Sequence, residues 1–73
     1  MALPVVSGRR VIKALVKAGF SVEGRKGSHV KLKKVDDKVF VVIVPDHAEL
    51  ARGTLNSILR QANIAREDFF KLL

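Results

Sequence analysis

Between Gly8 and Lys17 the apolar residues Val11, Ile12, Leu15 and Val16 recur at helical spacing, while Arg9, Arg10, Lys13 and Lys17 take the opposite side. The pattern predicts an amphipathic helix with a cationic back. Ser7 stands where a side-chain oxygen caps a first turn, and Gly19 where a left-handed residue closes a last one. From Phe20 the period becomes two: Phe20, Val22 and Gly24 alternate with Ser21, Glu23 and Arg25, as in a half-buried strand. Lys26-Gly27-Ser28 reads as a turn. In the strand that follows, Val30 and Leu32 point inward, and alternation sends His29, Lys31 and Lys33 to the other face.

Asp36-Asp37 marks a second tight turn, and Lys38 to Val44 a third strand, apolar at every position from Val39 onward. Such a strand has both faces covered, or one face waiting for a partner. Helices of so short a chain cover one face only, so the excess points to a protein partner or to self-association; the preference of Val and Ile for strands alone gives the same run. Pro45 cannot continue the ladder, and Asp46 to Arg52 reads as a loop. A second helix is expected from Gly53-Thr54, with Thr54 as cap, Leu55, Ile58, Leu59 and Ala62 on one face, and Asn63 as a left-handed end. Ala65 to Leu73 forms a short terminal helix, with Glu67 and Asp68 at its positive end and Phe69, Leu72 and Leu73 free to dock. The order predicts an α+β fold: the α-β-β-β-α layout of double-stranded-RNA-binding domains, a three-stranded antiparallel sheet with helices on one face, and a short C-terminal helix.

The 73 residues are read as one domain, spanning 1–73, and a chain of this size buries only about 60% of the surface of its unfolded form. That allows a thin core and a surface site, and no deep cofactor pocket. Cysteine is absent, so packing alone must hold the fold, and a reducing, cytoplasmic setting is expected. Met1 to Val6 is too short for a leader, and the run from Val39 to Pro45 is strand-sized, far short of a membrane span.

Charge changes the picture. The net charge is +7, and residues 1–34 carry nine Lys and Arg against the single anion Glu23. A one-sided positive field attracts polyanions, because every phosphate it neutralises releases counterions. The first helix carries no Trp or Phe to insert into a bilayer, which ranks nucleic acid above a membrane surface.

Within the basic run Arg25 to Lys34 stands His29. Imidazole, with an ordinary pKa near 6.5, exchanges protons at neutral pH, and nearby ammonium groups hold a phosphate and offset the charge that builds on it. A solvated surface histidine is the plain alternative. His47 is the other imidazole; it becomes a second proton-transfer group if the loop after Pro45 folds towards the second strand, and is otherwise structural. Two histidines 18 residues apart, without cysteine, make a poor zinc site, so no metal or other cofactor is expected.

Lys17-Ala18-Gly19-Phe20, Arg25-Lys26-Gly27-Ser28-His29, Val44-Pro45-Asp46-His47 and Gly53 to Ala62, in this order and spacing, resemble the HicA (YcfA-like) toxins of toxin-antitoxin pairs, over about Ser7 to Phe69. The resemblance implies a ribosome-independent mRNA interferase of the double-stranded-RNA-binding fold, neutralised by a HicB antitoxin, with His29 catalytic. It departs from the family's pattern at Asn63, where glycine is usual, and at Ala65, where a Ser or Thr cap is usual.

RNA carries its own nucleophile, the 2′-hydroxyl, so cleavage needs proton transfer and positive charge rather than metal. On this scheme His29 is general acid or base, Lys31 and Lys33 attract phosphates on its face, and Lys26 with the Gly27 and Ser28 amides lines the turn against the backbone. Arg60 and Gln61, on the outer side of the second helix, are candidates for contact with RNA or antitoxin. A non-catalytic RNA-binding module and an interaction subunit are the competing functions; a monomer or weak homodimer fits each.

Overall fold

The structure, a computed structural model, describes residues 5–73; Met1 to Pro4, most of the segment weighed above as a leader, lie outside the described residues. Six elements follow in the order α1 (Gly8–Lys17), β1 (Ser21–Lys26), β2 (His29–Val35), β3 (Val39–Pro45), α2 (Arg52–Ala62) and α3 (Arg66–Leu72). The strands form one antiparallel sheet in the order β1-β2-β3, as expected from the short turns between them.

Ser7 caps α1, its side chain accepting the Arg10 N–H at 3.2 Å. At the other end Gly19 takes φ +103°, and the Gly19 and Phe20 amides close on the Val16 and Leu15 carbonyls, both at 3.0 Å. The buried stripe is Val11, Ala14 and Leu15, whereas Val16, read above as apolar-face, is half exposed. Residues three and four apart share a face, so a stripe centred on Val11 and Leu15 takes in Ala14 and leaves Val16 at its margin.

In β2 the expected alternation holds: Val30 and Leu32 are buried, and His29 and Lys31 are exposed. β3 alternates too. Val42 and Val44 are buried, while Val39, Val41 and Ile43 are exposed on the outer face, so the helices cover one side of the sheet only. Pro45 is the last residue of β3, paired with His29, not the first beyond it. Because β3 is an edge strand, a residue without an N–H costs the ladder little there.

β1 departs furthest from expectation. None of its residues is buried; Phe20 is buried just before it, and Val22, though paired with buried Leu32, is 52% exposed. The register slips between Val22, opposite Leu32, and Gly24, opposite Lys31, leaving Glu23 as the extra residue of a β-bulge.

α2 begins at Arg52 with Ala51 as its cap residue and no capping side chain, so Thr54 lies inside the helix rather than at its start. The loop is delivered there by its own ties: the Leu50 N–H donates to Val6 O at 2.9 Å, and the Gly8 N–H to His47 O at 2.8 Å. Asn63 adopts φ 56°, ψ 43°, the left-handed end expected of it. Phe69 of α3 is fully buried with Leu15, Leu32, Leu55 and Ile58, and Leu72 and Leu73 pack at the core margin. No helix among the described residues is long and apolar enough to cross a membrane.

Candidate active site

The β1–β2 connection is a two-residue hairpin, Gly27-Ser28, closed by the pair Lys26 and His29. Gly27 takes φ +60°, a conformation that a side chain disfavours and that a two-residue hairpin with glycine first requires. Paired residues of an antiparallel ladder share a face, so Lys26 stands beside His29, with Lys31 two residues along β2. Lys33 continues the row, opposite Val41.

The bulge composes this face. Unbroken alternation would set Ser21, Glu23 and Arg25 outward and Lys26 inward. With one residue inserted, both Glu23 and Gly24 stand against Lys31, Lys26 moves outward, and Arg25 comes opposite buried Val30. Glu23, Gly24, Lys26, His29, Lys31 and Ile43 then line one shallow depression on the outer face, with Arg25 at its rim.

Arg25 and Asp46, which sequence reading did not single out, form a clasp beside the hairpin. The Arg25 guanidinium donates to Asp46 Oδ2 at 2.7 Å and, through Nε, to the Gly27 carbonyl at 3.0 Å, while the Asp46 N–H donates to Ser28 O at 2.6 Å. The loop after β3 therefore holds the hairpin at the Arg25 side chain and at the Ser28 carbonyl. Its next residue, His47, is exposed and does not line the depression; its carbonyl holds α1 through the Gly8 amide. The loop does fold towards β2, as its sequence allowed, but it delivers Asp46 to the turn, not the His47 ring to the depression.

Arg60 belongs to a different place. With Gln61 and Asn63 it borders a hollow beside Asp36, Asp37, Lys38 and Phe40, at the β2–β3 turn. Six residues of β2 separate that end from His29, about 20 Å of strand. Of the residues singled out from sequence, the fold gathers Lys26, His29 and Lys31 in one depression, with Gly27, Ser28 and Lys33 adjoining, and sets Arg60 apart.

Residues 8–64 match the family model described as "HicA toxin of bacterial toxin-antitoxin". The chain belongs to the HicA toxin family. The matched span takes in α1, the sheet and α2, hence the whole depression around His29 and the clasp that holds its turn. The toxin has no match among curated protein sequences.

Proposed function

We propose that the toxin is an endoribonuclease of the mRNA interferase type, cutting RNA at His29 without a metal ion. The observation that carries this reading is the exposed His29 between Lys26 and Lys31 on the uncovered face of the sheet. A ribose-phosphate strand laid there meets a proton-transfer group and cations at the same phosphate. His29 serves as general acid or base, the ammonium groups of Lys26, Lys31 and Lys33 offset charge on the phosphorane, and the Gly27 and Ser28 amides border the turn.

The antitoxin that family membership implies is, on this reading, of HicB type and sits on the same outer face. Val39, Val41 and Ile43 are 58%, 42% and 41% exposed there, in a stripe beside the Lys31 and Lys33 row. That surface complements a partner with apolar residues flanked by carboxylates, and such a partner would cover His29 as it docks.

The test is cleavage of purified mRNA in excess EDTA by the parent and by His29→Ala. Cleavage by the parent that falls at least 100-fold in the variant, with RNA binding retained, is expected. Binding without cleavage by either protein would leave a non-catalytic RNA-binding module instead.

A further inference from the structure

Cleavage through the 2′-hydroxyl needs two proton transfers, one from the attacking oxygen and one to the leaving oxygen, and a lone imidazole can serve each only by turn. The second imidazole, that of His47, does not line the depression. One other titratable group able to take a proton does: Glu23, the sole anion among residues 1–34. A carboxylate is out of place in a surface meant only to hold phosphates, since it repels them. It is nonetheless the residue that the β-bulge inserts, on the side of the sheet that carries His29. No hydrogen bond or ion pair occupies its side chain among the described residues.

We propose that Glu23 is a second catalytic residue, the general base that pairs with His29 as general acid; this rests on the endoribonuclease reading above. Glu23 lies opposite Lys31 and one strand away from His29, which by strand rise and spacing sets their Cα atoms about 10 Å apart. With both side chains reaching inward, that gap accommodates one phosphodiester. Gly24, next to Glu23 and facing the same way, has open space where a Cβ would stand, so the floor of the gap is clear.

The carboxylate takes the 2′-hydroxyl proton as O2′ bonds to phosphorus. The P–O5′ bond breaks, and the His29 imidazolium gives its proton to the departing O5′. The products are a 2′,3′-cyclic phosphate and a 5′-hydroxyl; water then returns the proton from the Glu23 carboxyl to the imidazole, and no redox partner is involved. The charged groups around Glu23 on this face are Lys26 on its own strand and Lys31, Lys33 and His29 on β2, with Arg25 beside them tied to Asp46, while β3 contributes only the apolar Ile43 to the depression.

The experiment compares parent, Glu23→Gln, Glu23→Asp and His29→Ala for single-turnover cleavage across pH, with RNA affinity measured for the same variants in the His29→Ala background. Glu23→Gln is expected to lower the rate at least 100-fold, to turn a bell-shaped pH profile into one with a single falling limb, and to bind RNA as tightly as before or more tightly; Glu23→Asp recovers part of the rate and the rising limb. A Glu23→Gln rate within a few-fold of the parent, with the bell intact, would overturn the assignment, and if His29→Ala is then inactive the endoribonuclease reading survives without it. A His29→Ala protein as active as the parent overturns both.

Discussion

At the scale of single residues, small contacts decide whether His29 is held or loose. The Arg25–Asp46 pair is half exposed on the arginine side, and such pairs contribute at most about 1 kcal/mol. Its value is geometric, because the two residues between them engage the Gly27 carbonyl, and through the Asp46 amide the Ser28 carbonyl, next to the imidazole. Gly8 matters in a different way. Buried where α1 meets the loop after β3, it would, with a Cβ, overlap the Pro45 carbonyl oxygen and lie 2.9 Å from Asp46 Cα. Two effects of Gly8→Ala oppose each other: helix propensity favours alanine by up to about 1 kcal/mol, and overpacking against backbone costs about 1–3 kcal/mol. The second wins, since backbone cannot rotate away. Urea denaturation is expected to show a loss of about 1–2 kcal/mol, and an unchanged midpoint would contradict this close approach. Nothing in the sequence near Gly8 announces that requirement, because the atoms it must avoid lie some 37 residues away in the chain.

At the scale of elements, legibility followed the length of the pattern. α1, β2 and α2 repeat their period often enough to be read directly, and the turn glycine and the histidine after it were placed correctly from local chemistry alone. β1 was misjudged because its six residues contain a bulge, and alternation counted through a bulge assigns every later side chain to the wrong face. β3 was ambiguous for the opposite reason: a run of Val and Ile is compatible with either face being covered, and only the helices' position settles which. The outer stripe gives an element-level prediction. Val39→Thr with Val41→Thr keeps strand propensity and alters exposed positions, so the fold is expected to persist by circular dichroism. Buried under an antitoxin, each hydroxyl forfeits a methyl and adds a polar atom, about 1–2 kcal/mol apiece, so calorimetric titration with the antitoxin is expected to show affinity reduced by roughly 30-fold to 1000-fold. Unchanged affinity would place the partner elsewhere.

At the scale of the whole molecule, one thin core joins all three helices to β2 and β3, and β1 adds no buried residue to it. α3 has seven residues, too few to be helical alone, and it persists because Phe69 is fully buried beneath it and because Lys17 Nζ donates to Leu72 O at 3.2 Å. Removing the ring by Phe69→Ala costs about 3–5 kcal/mol, against a total of roughly 4–11 kcal/mol for a chain of 73 residues. A fall in thermal midpoint of more than 15 °C, or loss of the folded state at 37 °C, is therefore expected; a shift of a few degrees would mean that α3 is dispensable. By itself the sequence determined the order and type of the elements and the face on which His29 stands, which follow from neighbours within a few positions, and the excess of positive charge and the family, which need only residue types in order along the chain. Only the tertiary structure decided that a bulge brings Gly24 and Lys26 round to that face beside Glu23, that Arg25 leaves it for Asp46, and that His47 and Arg60 lie outside the depression. Those outcomes depend on register and on contacts between distant segments, where the energy of packing the whole sheet overrules a local period.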